Sequence, residues 1–357
     1  MRWDACTRFF RRSLMAACIC AVGVAALLGS LAAPAHAVTI DWVSVGDPGN
    51  TADTTGNPNP AGAVATSFQI MKFEFTNQQY TDFLNSVDAS GTNPTSVYNT
   101  SMGSNARGGI SFTSGNASGS KYAIRTNMGN KPVNFVSWFD AARVSNWLFN
   151  GATGTSSMET GAYTLNNATS GTAPAVNSGA TFYVPTEDQW YKAAYYKGGS
   201  TNAGYWDYAT QSDTAPTEVT SGATGIGSAG NAGNFANYNR GADWGSPLQD
   251  GNVTTVGTNG GASAYGAFDM SGNVQEWNDL TGAAGSLRGF RGGLWSSGAF
   301  SLSSSDRGTN APSSEGVNYG FRLASPVAVP EPSTWVMGLA GLACAGWGAW
   351  RRRRARA

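Results

Sequence analysis

Short apolar clusters alternate along the chain with long polar stretches, and three of the clusters begin with helix-start signals. Phe68 to Phe75 (FQIMKFEF) has the alternation of a strand, with a phase slip between Ile70 and Phe73 that predicts a bulge. Thr76 and Gln79 follow with the spacing of a capping box, in which each side chain satisfies the other residue's free backbone N–H. Behind it Tyr80, Phe83, Leu84 and Val87 recur at i, i+3, i+4 and i+7, which predicts an amphipathic helix packed on a sheet. A second box, Ser137 with Asp140, opens a helix with Trp138, Ala141, Ala142, Leu148 and Phe149 on one face. A third, Thr186 with Gln189, opens a helix that buries Trp190, Ala193 and Ala194. Its first turn holds Glu187, where the helix dipole favours a carboxylate; the alternative for Glu187 is a catalytic acid. One more short strand is expected at Thr39 to Val45.

The stretches between are rich in Gly, Ser, Thr and Asn. Residues 90–130 are expected to be loop, 151–179 a loop or exposed hairpin, and 197–264 a long irregular region. With 47 Gly in 357 residues the prediction is a loop-rich globule of mixed helix and strand, and the 12 Trp, 13 Tyr and 16 Phe are enough to fill its core. Trp138 and Trp147 form a candidate sugar-stacking pair, but Trp138 falls on the apolar stripe and is expected in the core.

The two ends differ from the middle. Arg8, Arg11 and Arg12 precede an apolar run from Leu14 to Leu31, and Ala35-His36-Ala37 has the small-x-small pattern of a cleavage site, so residues 1–37 are read as an export signal. At the other end Val329 to Thr334 (VPEPST) leads into an apolar run from Trp335 to Trp350 and a closing RRRRARA, which would keep that end in the cytoplasm. Between the two ends, 13 basic residues face 20 acidic ones, a net charge of −7 hidden by the overall balance. A surface of that sign argues against nucleic acid, which is held by clustered Lys and Arg. The same middle segment has no cysteine and no histidine. This rules out disulfides, thiolate or imidazole sites for zinc, copper or iron, and Ser-His or Cys-His nucleophiles.

The chain is organised around Gly266 to Arg322: GAFDMSGNVQEW, LRGFRGGLWSS and SDRGTNAPSSEGVNYGFRLA. Asp269 and Glu276 lie seven apart, separated by a Ser-Gly-Asn turn that would let the carbonyls of Gly272 and Val274 face inward with them. That is the oxygen-only donor set calcium takes; the alternative is an Asx-type turn with two solvated acids. Arg291 and Arg322, with Asp306 and Arg307, are expected to form buried or half-buried ion pairs. Gly292, Gly293 and Gly320 would allow positive φ or close backbone approach.

DMSGNVQEW, RGGLW and VNYGFRLA, in this order, resemble the formylglycine-generating (sulfatase-modifying factor) family. Glu74-Phe-Thr-Asn-Gln-Gln-Tyr80 is similar to its EVTNAQY signature, PVNFVSWFDAARVSNWL has a close counterpart, and FYVPTEDQWYKAAYY looks like its LPTEAEWEYAA motif. The resemblance spans about Thr39 to Ser325 and implies a compact single α/β (α+β) domain, poor in regular structure, with C-type-lectin-like topology and structural calcium. It also implies a second calcium position at Asn237, Tyr238, Asp250 and Asn252. The family's enzymes oxidise a substrate cysteine with copper held by two cysteines. Here Ser297 stands at the first of these positions, the second falls near Ser301 or Leu302, Gln275 stands where the enzymes have Trp, and Leu294 where they have Ser. Copper(I) prefers thiolates, so no copper and no formylglycine generation are expected. The iron-dependent sulfoxide synthases of the same fold use histidines that are missing as well.

The tail is similar to the PEP-CTERM sorting signal, in which a Pro-Glu-Pro motif precedes an apolar helix and an arginine cluster; a plain tail anchor is the alternative. The sorting reading implies an exosortase and a signal peptidase as processing partners. It also implies passage through the inner membrane to the cell surface or extracellular matrix. Three functions are compatible with this sequence. The first is a non-catalytic module binding a surface glycan or protein; the second is an enzyme with substituted carboxylate chemistry at Asp269 or Glu276. The third is a structural matrix protein, which regular repeats would favour and none is found.

Overall fold

The three capping boxes form as their spacing predicts. Helix α1, Asn77–Val87, starts with the Thr76 side chain on the Gln79 amide and the Gln79 side chain on the Thr76 amide. A four-residue turn of helix, α2, Ser101–Ser104, follows it. Helices α3, Trp138–Phe149, and α4, Glu187–Tyr195, carry the equivalent reciprocal bonds from Ser137 with Asp140 and from Thr186 with Gln189. The computed structural model describes residues 38–326, so the expected export signal and the sorting tail lie outside the described residues. Among the described residues no helix is long and apolar enough to cross a membrane.

The strands are short and gather into small sheets. β1, Trp42–Val45, and β11, Ala324–Ser325, both pair antiparallel with β2, Phe68–Met71, giving the order β1-β2-β11. A second sheet runs β10-β7-β8-β9, from Tyr319–Gly320 through Gln275–Asn278 and Arg288–Arg291 to Gly308–Asn310, with only the β10–β7 pair parallel. A two-residue parallel pair, β5 Thr217–Glu218 with β6 Phe235–Ala236, lies in the irregular middle region. The strand predicted over 68–75 stops at Met71. The chain leaves the sheet at Lys72 and Phe73, and Phe75 re-enters a ladder by donating to the Phe321 carbonyl and accepting from the Val133 amide.

Two expectations need correction. Residues 90–130, read as loop, contain α2 and an antiparallel hairpin, β3 Ile110–Phe112 with β4 Tyr122–Ile124. Phe112, Tyr98 and Tyr122 pack ring to ring there, and Asp88 accepts a short hydrogen bond from the Tyr122 hydroxyl. Second, α3 is buried on every side from Trp138 to Leu148, while Phe149, placed on the buried face by periodicity, is 39% exposed.

A helix enclosed all round must find partners for its polar side chains. Arg143 Nε pairs with Glu159 at 2.8 Å, Ser145 donates to the Ala141 carbonyl, and Asn146 bonds to the backbone of Met158 and Tyr163. Trp138 is fully enclosed, edge-on to Phe139 and Tyr163, and Trp147 packs against Phe83. The pair is therefore core and not a sugar platform.

Asp140 offers a test of this enclosure. Burial, reinforced by the nearby Glu315 carboxylate, pushes its carboxyl up to about 7 despite the Ser137 hydrogen bonds. A carboxyl whose pKa rises on folding holds its proton more tightly in the native state than in the unfolded chain, where it titrates near about 3.9. Its contribution to stability is full below about pH 4 and is lost as pH rises through about 7. Asp140→Asn should flatten this part of the profile. Urea midpoints measured from pH 4 to 8 would show it, and parallel curves for the two proteins would remove Asp140 as the source.

Candidate functional site

The turn leading into β7 is wound by three residues with positive φ. Asp269, Gly272 and Asn273 have φ of 58°, 90° and 66°. Gly272 has no substitute here, because a Cβ would stand 2.3 Å from the Asn237 carbonyl oxygen. That same carbonyl accepts the Asn273 amide at 2.8 Å, so the turn is docked on Asn237.

Glu276 leaves the turn fully buried. Arg322 grips it with two bonds of 2.6 Å, Nε to Oε2 and Nη2 to Oε1, and Trp190 Nε1 donates to Oε2 at 2.7 Å. The same guanidinium donates to the carbonyls of Met71 and Phe268. One arginine thus ties the end of β2, the 268 loop and β7 together. Two further carboxylates stand beside it. Glu74, also fully buried, accepts from Asn273 Nδ2 at 2.7 Å and the Val274 amide at 3.2 Å. Asp269, half-buried, accepts from the Gly257 amide and from Asn259 Nδ2. Burial, then repulsion from Asp269 and Glu276, holds the Glu74 carboxyl well above the usual carboxylate range.

Three carboxylates share one guanidinium, leaving two negative charges to be balanced by protons or by a cation. Among the described residues no three Asp, Glu, His or Cys side chains converge as a metal cluster. The donor types present fit a hard ion held by two carboxylates, Asp269 and Glu276, with carbonyl oxygens from Gly272 and Val274. A carboxylate has about four acceptor positions; Asp269 accepts two hydrogen bonds and Glu276 three, so the open capacity lies mainly on Asp269.

The second set of predicted ligands is only partly brought together. Asn237 is buried, its Nδ2 donating to the Asn252 carbonyl, Thr254 Oγ1 and Asn273 Oδ1, while its own Oδ1 has no hydrogen-bond partner among the described residues. The Tyr238 carbonyl accepts from the Gly241 amide, and Asn252 is enclosed next to Asn237. Asp250 lies apart: its side chain is 72% exposed and pairs with Arg240 at 2.8 Å. The residues that sequence reasoning missed in this region are Glu74, Thr254, Asn259 and Asn273. Glu74 and Asn273 sit inside the quoted motifs, but only as neighbours of residues singled out for other reasons.

At the position of the family's copper cysteines the chain uses hydroxyl and hydrocarbon. Ser297 Oγ accepts from the Leu294 amide at 3.1 Å, its own amide returns to the Leu294 carbonyl, and its carbonyl accepts from Asn239. Leu302, at the end of the 3-10 turn Ala299–Leu302, is fully buried with Ala236 and Tyr238, and Ser301 beside it is half-buried. Trp295 is covered by the Arg107 guanidinium at 4.1 Å from its ring centroid. None of these atoms is a soft ligand.

The expected ion pairs exist with a different acid. Arg291 and Arg307 both close on Glu187, at 2.8 and 2.6 Å, while Asp306 contributes its carbonyl to Arg291. Glu187 is therefore consumed by two guanidinium groups and is not placed as a free acid. A further buried pair, Asp279 with Arg288 at 2.6 Å, was not foreseen.

Comparison with known proteins agrees with the motifs. The sulfatase-modifying factor enzyme 1-like domain matches residues 35–327, and the PEP-CTERM protein-sorting motif matches residues 328–354. No curated protein matches the chain. Similar solved structures include CarF, at 21% identity and TM-score 0.46, covering 81% of this chain and 99% of that one. Treponema denticola variable protein 1 is similar at 18% identity and TM-score 0.44, covering 83% and 98%. PvdO from Pseudomonas aeruginosa is similar at 18% identity and TM-score 0.38, covering 81% and 93%. The chain is a member of the sulfatase-modifying factor enzyme 1-like family, a single loop-rich α+β domain exported with a PEP-CTERM sorting signal that exosortase processes.

Proposed function

We propose that this domain is a non-catalytic recognition module, delivered to the cell surface or extracellular matrix, that binds a surface glycan or protein through the face its enzymatic relatives use for substrate. The observation that carries this reading is Ser297. At the first copper position it supplies a hydroxyl already engaged by the Leu294 amide, in a segment with no thiol or imidazole. A hydrolase built on Asp269 or Glu276 is less well supported, because Glu276 is held by Arg322 and Trp190 and a base must be free to take a proton. Calcium enters this reading as a structural ion at Asp269, Gly272, Val274 and Glu276, neutralising the surplus carboxylate charge and fixing the turn; the Asn237 oxygen is the point where a second would add. Signal peptidase and exosortase are the processing partners, and the membrane is touched only through the terminal segments.

The test is binding of the purified exported protein to the producing cells' own extracellular polysaccharide and surface-protein fractions, with calcium and then with chelator. Saturable binding to one fraction, lost on chelation, is the expected result. Absence of binding to both fractions in either condition would overturn the reading and send the search to the carboxylate chemistry.

A further inference from the structure

The hollow between residues 51–55 and the 202–205 turn shares no residue with the Ser297 segment or with the 269–276 turn. It has a volume of about 250 Å³ and is lined by Thr51, Asp53, Thr54, Thr55, Asn202 and Tyr205, with Ala52 and Gly204 between them. We propose that it binds one neutral sugar ring.

The walls are already joined to each other. Thr51 Oγ1 donates to Asn202 Oδ1 at 2.5 Å, the Thr51 amide donates to the Thr201 carbonyl, and the Tyr205 hydroxyl shares its proton between the Thr51 and Gly62 carbonyls at 2.9 and 3.0 Å. Asn50 Nδ2 in turn donates to the Tyr205 hydroxyl at 2.7 Å. The Tyr205 ring is held by Tyr191 and Tyr196, with ring centroids 5.5 and 4.9 Å away. Asp53 is fixed as well, accepting from the Tyr191 hydroxyl at 2.7 Å and from the amide and hydroxyl of Thr55. A pocket built before its ligand arrives loses little ordering entropy on binding.

The chemistry of the lining selects the ligand class. Among the described residues no Lys or Arg lines the hollow, and an anion such as phosphate, sulfate or a uronate would be taken out of water beside Asp53 with none of them to pair it. An ammonium ligand finds Asp53 already accepting from the Tyr191 hydroxyl, the Thr55 amide and hydroxyl and the Gly56 backbone, about the four bonds a carboxylate can take. A purely apolar ligand would strand the threonine hydroxyls and the Asn202 amide. What remains is a group that gives and takes hydrogen bonds on several sides. Sugar hydroxyls match the threonine hydroxyls in both roles, and the Asn202 NH₂ supplies donors while its oxygen holds Thr51. The volume falls just under the range of about 300–1,000 Å³ that encloses drug-sized ligands, which suits a single ring. One ring of this size implies a dissociation constant in the millimolar range.

The test uses ligand-observed NMR on the full chain with glucose, galactose, mannose and N-acetylglucosamine, with dextran to separate a polymer end from a free sugar, and with glucuronate as the charged control. Binding of at least one neutral ring is expected in the millimolar range, with glucuronate at least tenfold weaker. Asn202→Ala and Thr54→Val, both at exposed positions, should each weaken binding at least fivefold while leaving the melting temperature unchanged. Chelator should have no effect, which separates this site from the calcium-organised face. The proposal is overturned if none of the neutral sugars or dextran binds, if glucuronate binds as tightly as they do, or if both variants bind like the parent.

Discussion

Arg322→Met is expected to destabilise the domain by about 3–5 kcal/mol, the cost of removing one partner from a buried ion pair. The reason lies in the imbalance around it. With Arg322 gone, Glu276 keeps the Trp190 Nε1 bond, and Glu74 and Asp269 lose a guanidinium that offsets them. The carbonyls of Met71 and Phe268 lose a donor in the same step. The double variant Arg322→Met with Glu276→Gln should recover a large part of the loss, because the neutral amide no longer leaves a buried charge unpaired. Urea unfolding of the four proteins in the cycle measures this directly. A single variant within about 1 kcal/mol of the parent would show that the arginine is not what holds the cluster.

Trp138→Ala should cost about 3–5 kcal/mol, the range for truncating a large aromatic inside a packed core. The indole is fully enclosed, packs edge-on to Phe139 and Tyr163, and lies beneath Arg288 at 4.6 Å from its ring centroid. The cavity would open beside the buried Arg288–Asp279 pair, so little relaxation is available to close it. Trp138→Phe keeps most of the packing and should lose less than half as much. If Trp138 were a ligand platform, Trp138→Ala would instead leave the unfolding midpoint unchanged and reduce binding.

What the sequence disclosed follows from how local each signal is. The capping boxes were legible because a threonine or serine side chain reaches a backbone group only three residues on. The all-round burial of α3 was not, because the partners of Arg143 and Asn146 come from residues 158–168, a stretch without period. The β3–β4 hairpin escaped notice because three-residue strands give too few alternations to stand out from a Gly and Ser rich background. Motif spacing placed Arg322 in a buried ion pair, while the acid it pairs with is Glu276, which the sequence offered as a calcium ligand. It could not reveal that Glu187 serves Arg291 and Arg307 across separations of 104 and 120 residues. Asp250 shows the remaining gap: spacing sets how far apart two residues lie along the chain, while its side chain turns outward to Arg240.

The order β1-β2-β11 sets the mechanics of the tethered precursor. Both outer strands run antiparallel to β2 and so parallel to each other, with Trp42 opposite Met71 and Ser325 opposite Gln69. From buried Ser325 to Pro330 of the sorting motif there are five residue steps, a leash of at most about 18 Å when fully drawn out. A force applied at the C-terminal end of the domain is therefore delivered first to the pairing that holds Ala324 and Ser325 to β2.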